Sequence, residues 1–400
     1  MEYRKIVAVL CRQFGLNHID AAEDIAGETF LAALETWPFK GIPPNPVAWL
    51  YTVAKNKTKN FLSAKRHEYE KIKMEGKTTP AEFFPDEPDL SPQHISDSQL
   101  RMLFAVSHPS LSTEAQVALA LRILCGFGID EMAHAFLTGK DTIEKRLYRA
   151  KEKLRSLDLP LDVPQADELA PALRSVLTTI YLLFNEGYYS ETDNRLIRED
   201  LCMEAMSLAH LLLGNRETET PEVNALLALM CFQASRFPAR KNKSGEIILY
   251  EEQDESLWNQ ELIEKGIYFL HRSSAGNQLS KYHLEAAIAF HHTKKENSRE
   301  KWETVLQLYN RLLLMEYSPV AALNRTYVFS RVFGNKMAIE EAEKLKLTGN
   351  PYYFLLLGTL YQGMDDEKSA LHFLEALGMV KTETEKQVIN SKLAALNKNK

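Results

Sequence analysis

Between Glu114 and Arg155 apolar residues recur at three- and four-residue steps, so this stretch is predicted to form three helical pieces. In the middle piece Asp130 stands at an N-cap position, and Met132, Ala133, Phe136 and Leu137 follow on one face. Thr138, Gly139 and Lys140 form a turn. The third piece opens with Asp141 and Glu144 at capping-box spacing and carries Ile143, Leu147, Ala150 and Leu154 on its inward side. Thr142, Lys145, Arg146, Arg149 and Lys153 project together from the opposite side. A helix, a tight turn and a basic helix suit docking in a DNA major groove, with cations on phosphates and the N-terminal half at base edges. The same residues also fit an ordinary solvated amphipathic helix.

Upstream, Ile6, Val7, Val9, Leu10 and Phe14 make the apolar side of a first helix, which Gly15 and Asn17 interrupt. Asp20 starts a second helix, with Ile25, Thr29, Phe30, Ala32, Ala33 and Leu34 toward a core and Glu23, Asp24, Glu28 and Glu35 outside. Thr36 to Pro46 reads as a proline-rich loop displaying Phe39 and Lys40. The helix that follows from Val47 has Trp49, Leu50, Val53, Phe61 and Leu62 as its apolar residues. Lys55, Lys57, Lys59, Lys65, Arg66, Lys71 and Lys73, with Asn56 and Asn60, give it a surface suited to a phosphate backbone and base edges. A Lys-rich solvated helix is the alternative.

Four prolines among acidic residues make 76–98 a linker, and a second polar, Pro-containing break falls at 157–171. The predicted fold is all-α: helical domains at 1–75 and 99–156, then a larger helical domain at 172–400. Only Glu246 to Tyr250 resembles a strand. Near the end Leu323, Asn324 and Tyr327 recur as Leu357, Gly358 and Tyr361, a 34-residue step that with Phe354 and Ala370 fits a tetratricopeptide-like repeat. Tyr282 to His292 and Trp302 to Leu314 read as a more degenerate preceding pair.

Charge changes the picture once it is divided along the chain. Residues 1–156 hold 21 Lys and Arg against 20 Asp and Glu, so the net charge of −6 belongs to the C-terminal part. A near-neutral N-terminal half with clustered cations is compatible with DNA contact. No apolar run approaches the length needed to span a bilayer, so no membrane partner and a cytoplasmic location are expected. Cys11, Cys125, Cys202 and Cys231 are widely spaced and read as reduced, buried hydrophobes. His108, His291 and His292 form no ligand set, so neither metal nor cofactor is expected. Glu251, Glu252, Asp254, Glu255 and Trp258 lack a nucleophile or phosphate loop and read as structural; Tyr188, Tyr189, Tyr352 and Tyr353 read as packing residues.

The order of these elements, with the strings DAAEDIAGETF, NPVAWLYTVAKN and TIEKRLYRAKEKLR, resembles the extracytoplasmic-function sigma factors of bacterial RNA polymerase. LFAVSHPSLSTEAQVALALRIL, YLLFNEGY, REDLCMEAMSLAHLL, EEQDESLWNQELI and SPVAALNR are similar to the subgroup with a tetratricopeptide-like C-terminal extension. The resemblance makes 1–75 a sigma region 2 domain and 99–156 a region 4 helix-turn-helix domain. It implies core polymerase binding through Asp24, Ile25, Glu28 and Phe30. It implies minus-ten recognition through Phe39, Lys40, Lys55, Asn56, Lys59, Asn60, Lys65 and Arg66, where a flipped base needs stacking and hydrogen-bond partners. Minus-thirty-five recognition falls to Thr142, Lys145, Arg146, Arg149 and Lys153. The implied activity is promoter choice and strand opening, not enzymatic catalysis, with core RNA polymerase and promoter DNA as partners and a protein or peptide at the C-terminal repeats. Gly27 replaces a residue that is commonly Gln in the family, and Asn60 one that is frequently Asp. A helix-turn-helix regulator with a repeat-type sensor domain, and an enzyme or peptide-binding scaffold built on the C-terminal domain, are the competing readings. An independent boundary after Ser156 is expected to let the first two domains fold without the rest.

Overall fold

The computed structural model describes residues 2–74, 88–135, 138–157, 161–188, 198–240, 248, 250–380 and 382–398. It is all-α, with eighteen α-helices and no strand among those residues. Contacts group the chain into two compact units, Met1–Leu182 and Leu183–Lys400.

The first unit contains α1 (Glu2–Phe14), α2 (Ile19–Lys40), α3 (Pro46–Met74), α4 (Pro92–Val106), α5 (Thr113–Leu119), α6 (Ile129–Ala135), α7 (Lys140–Ser156) and most of α8 (Ala166–Tyr188). A π-helical segment, Ala120–Cys125, continues α5 and ends at Gly126 with φ +76°. The amphipathic side predicted for α1 understates its burial: Ile6 to Cys11 are consecutively buried, each at 1% exposure or less. A helix apolar on all sides has neighbours on all sides. It packs on α2 and α3 and also on α4 and the π-helical segment. The Arg4 guanidinium donates to the Leu124 carbonyl at 3.2 Å, and Arg12 pairs with Asp97 at 2.7 Å. The two blocks expected as separate domains therefore share one core.

Several boundaries differ from the expected ones. α2 runs through Pro38 to Lys40, so the predicted loop shrinks to a turn closed by Gly41 at φ +80°. Pro38 lies in the last turn, and the Leu34 carbonyl it leaves unbonded belongs to a residue that is 72% exposed and open to water. α4 starts at Pro92 inside the stretch read as linker, because Ser91 caps it through the His94 amide and proline is favoured at the first helical position. Asp130 is not a cap: it lies within α6 and pairs with Lys140, while Glu131 accepts from the Gly128 amide at 2.7 Å. The Asp141–Glu144 box is likewise absent, since the N-cap of α7 is Gly139, two residues before Asp141, with no side-chain capping bond. Phe136 and Leu137 lie outside the described residues.

α8 begins inside the stretch 157–171. Its Leu173, Val176, Leu177 and Ile180 are buried. The Gln116 amide donates to the His108 and Leu111 carbonyls at 3.0 and 3.2 Å, and Thr179 Oγ1 donates back to Gln116 Oε1 at 2.9 Å.

The second unit comprises the end of α8 and then α9 (Glu199–Leu211), α10 (Pro221–Ala234), α11 (Gln260–Ser273), α12 (Lys281–His291), α13 (Arg299–Met315), α14 (Pro319–Phe333), α15 (Asn335–Leu345), α16 (Pro351–Tyr361), α17 (Asp366–Met379) and α18 (Glu383–Lys398). α10 is buried along nearly its whole length and packs against α9, α11 and α12. From α12 onward each helix packs on the next. Leu323 and Leu357, the residues of the 34-residue step, share one core cluster. Gly358 lets the Phe373 ring approach so closely that a Cβ would meet it at 2.6 Å. The strand read at 246–250 falls largely outside the described residues, and Tyr250 opens a single 3₁₀ turn.

Candidate nucleic-acid interface

α7 carries the most clearly two-sided surface. Ile143, Leu147, Ala150 and Leu154 are buried as the spacing predicts. Thr142, Lys145, Arg149 and Lys153 are exposed on the other side and Arg146 is half-buried. α5 and α6 both pack against α7 and hold it in place. Glu144 is exposed among these cations. Such a row can neutralise phosphates while its early residues reach base edges.

A second cationic surface lies on α3. Asn45 caps it, its side chain accepting from the Ala48 amide at 3.0 Å, and Leu50, Ala54, Thr58 and Leu62 are buried. Asn56, Lys59, Asn60 and Arg66 are exposed, with Lys55 and Lys65 half-buried. The side chains of Lys71 and Lys73 lie outside the described residues. Trp37 meets Trp49 edge-on at 5.5 Å and ties the end of α2 to the start of α3. Beside that contact Phe39 is 88% exposed, and Lys40 is exposed next to it. An exposed aromatic ring beside cations and amides can stack a base taken out of its duplex.

The acidic face of α2 divides in two. Asp24 and Glu28 are exposed, and Glu28 accepts from Lys57 at 2.7 Å. Ile25 is buried, and Phe30 is half-buried against Tyr3 at 6.1 Å, so these two support the helix from its core side and offer little free surface. Leu34, expected in the core, is exposed together with Leu31. Glu23, expected outside, is 7% exposed and accepts from Arg122 at 2.8 Å and from Lys151. Asp20 receives Lys151 at 3.0 Å and also pairs with Arg155. Burial alone would push the Asp20 carboxyl up, but the hydrogen bonds and charges of Lys151 and Arg155 outweigh it and hold it below the usual carboxylate range. A crevice of about 520 Å³ between Tyr3, Glu23, Asp24, Gly27, Glu28, Arg122 and Gly126 opens on this face. Sequence reasoning missed Asp20, Glu23, Arg122, Lys151 and Arg155 as a group, since their partners lie about a hundred residues apart or more.

In the second unit the acidic stretch serves as an internal tie. Glu251 accepts from the Tyr327 hydroxyl at 2.7 Å and lies 3.6 Å from Arg331, while Trp258 is buried. Tyr188 is buried, its hydroxyl accepts from Arg236 at 3.0 Å, and the Arg240 guanidinium sits 4.1 Å over its ring. Tyr353 is buried, Tyr352 is partly exposed with its hydroxyl on Glu385, and Tyr189 lies outside the described residues. Among the described residues no group of three or more His, Cys, Asp or Glu is arranged to hold a metal, and no helix is long and apolar enough to cross a membrane.

Residues 1–68 match the family described as Sigma-70 region 2. The chain is accordingly a sigma-70-family factor, with the part in transcription initiation and the interaction with core RNA polymerase that this region implies. It belongs to one family with an uncharacterized protein of Rhizobium meliloti, to which it is 34% identical over 368 residues, 88% of this chain and 84% of that protein. Residues 172–274 match a family of unknown function (DUF6596). No solved structure matches the chain.

Proposed function

We propose that the chain is an extracytoplasmic-function sigma factor of the subgroup with a tetratricopeptide-like C-terminal extension. It binds core polymerase through the exposed carboxylates Asp24 and Glu28 of α2. It reads the minus-ten element with Phe39, Lys40 and the Lys/Asn face of α3, and the minus-thirty-five element with Thr142, Lys145, Arg146, Arg149 and Lys153. Its work is non-enzymatic and cytoplasmic, and its helical extension regulates it or holds a protein or peptide partner. The observation that carries this reading is the exposed cation row of α7, backed by a buried apolar face, in a chain whose first 68 residues match sigma-70 region 2.

Co-purification with bacterial core RNA polymerase tests it, comparing wild type with Asp24→Arg plus Glu28→Arg. Charge complementarity chiefly sets partner choice and register, so the wild type should be retained and the reversed protein lost. If the wild type fails to bind, and the protein alone footprints a promoter unchanged by polymerase, the chain is a helix-turn-helix regulator instead.

A further inference from the structure

In the second unit the stretch from Tyr250 to Trp258 surrounds a cluster in which three buried polar atoms have no hydrogen-bond partner among the described residues. Trp258 and Gln253 are 3% and 4% exposed, yet Trp258 Nε1 and Gln253 Oε1 are both unmatched, and so is His292 Nδ1. The three residues stand around one ring. Tyr250 stacks on Trp258 at 6.1 Å and meets His292 edge-on at 5.1 Å, and the Gln253 backbone amide donates to the Tyr250 carbonyl at 3.4 Å. The Gln253 side-chain amide is oriented by its Nε2, which donates to the Ile248 carbonyl at 3.1 Å. Buried polar groups in folded proteins are nearly always matched, so three orphans in one place call for a bound group.

The chemistry of the orphans and the charge around them narrow what that group can be. An indole N–H only donates, an amide oxygen only accepts, and a neutral imidazole nitrogen does either. Cations stand on the same ring: the Arg236 guanidinium lies 5.4 Å from the Tyr250 ring centre, and Lys301 Nζ, which donates to the Lys294 carbonyl at 2.6 Å, lies 5.9 Å from it. Their field shows in the neighbouring groups. Burial, with Arg236 and Lys301 adding, keeps the His292 ring neutral, and Arg236 with Arg240 draws the Tyr188 phenol below its usual value although burial opposes this. The acids of the stretch are engaged or point to water: Glu251 is held by Tyr327 and Arg331, Asp254 caps the Ser256 amide at 2.9 Å, Glu255 accepts from the Lys295 amide at 3.4 Å, and Glu252 is exposed. A water molecule would leave the positive field uncompensated, and an oxyanion without a proton would set lone pairs against Gln253 Oε1. A phosphate group that keeps one hydroxyl meets both demands. Arg236, Tyr250 and His292 are half-buried, so the cluster is reached from the surface.

We propose that the second unit binds a protonated phosphate group at this cluster. The Trp258 indole and the His292 imidazole donate to its oxygens, Gln253 Oε1 accepts from its hydroxyl, and Arg236 and Lys301 balance its charge. Free phosphate and a phosphate monoester share this chemistry. The site stands on residues of the second unit alone and does not depend on the sigma-factor reading.

The test follows the indole N–H signals of the full chain, isotopically labelled at tryptophan, by nuclear magnetic resonance at constant ionic strength. Trp258→Phe identifies the Trp258 signal by its loss. Inorganic phosphate, glycerol 3-phosphate, sulfate and acetate are titrated separately. Phosphate or glycerol 3-phosphate should move the Trp258 signal to saturation and leave those of Trp37 and Trp49, in the first unit, in place; whichever of the two binds more tightly names the source. Sulfate, which carries no proton at neutral pH, should bind at least tenfold more weakly. Arg236→Gln should weaken phosphate binding tenfold or more. Gln253→Leu keeps every cation and should bind sulfate as well as phosphate, which preserves the test if Arg236→Gln fails to fold. A Trp258 signal that ignores both phosphates overturns the site. An equal, unsaturated response to all four anions means an adventitious ion only and overturns it too, and a preference for phosphate over sulfate that survives Gln253→Leu overturns the assigned contacts.

Discussion

At the scale of single residues, the proposed function makes α7 the place where base reading separates from backbone attraction. Arg149→Ala and Lys145→Ala are each expected to weaken promoter binding, by about 1–3 kcal/mol where a bidentate base contact is lost. Titration against cognate and scrambled duplexes checks this, and an equal loss on both would assign the residue to phosphate. In the second unit His292 illustrates burial acting on a titrating ring. Burial, with the charges of Arg236 and Lys301 adding, lowers its pKa to about 3. The unfolded chain, with an ordinary histidine, then binds the extra proton between about pH 6.5 and 3. Stability due to this group is complete above pH 6.5 and is lost as pH falls through that window, at up to about 1.4 kcal/mol per pH unit. Urea unfolding at pH 7.5 and pH 5 should show the loss, and His292→Phe should reduce it; an unaltered pH dependence would mean that His292 already titrates normally.

At the scale of elements, α8 decides where the chain can be cut. A fragment ending at Ser156 removes Leu173, Val176, Leu177 and Ile180 from the core and leaves Gln116 without its Thr179 and Ser175 partners. Exposed apolar surface on that scale favours aggregation. The 1–156 fragment should therefore be poorly soluble and 1–182 monomeric and cooperatively folding, as size-exclusion chromatography and thermal melts would report. Equal behaviour of the two would place α8 outside the first unit's core. The break at 157–171 looked independent because its prolines and acids carry no helical periodicity, yet α8 runs through Pro171, whose missing amide falls opposite the carbonyl of Asp167, an exposed residue in the first turn. Local composition marks where a helix can stop. Whether it does stop depends on what its next turns can bury.

For the whole molecule, division into two compact units predicts two calorimetric transitions. Gly358→Ala forces a Cβ against Phe373 and should destabilise by about 1–3 kcal/mol, shifting one transition and leaving the other in place. A shift of both together would show that the units unfold as one. The all-helical class, the apolar face of α7, its outward cations and the Lys/Asn surface of α3 were legible in the sequence, because periodicity within one helix is a local property that a reader can count. What only the tertiary structure decided is the partnership between distant segments. Neither the burial of α1 on all sides nor the pairing of Asp20 and Glu23 with Arg122, Lys151 and Arg155 leaves a local signal. Glu23 reads as one more exposed acid until the fold brings a cation from about a hundred residues away, and only that approach makes burying its charge tolerable.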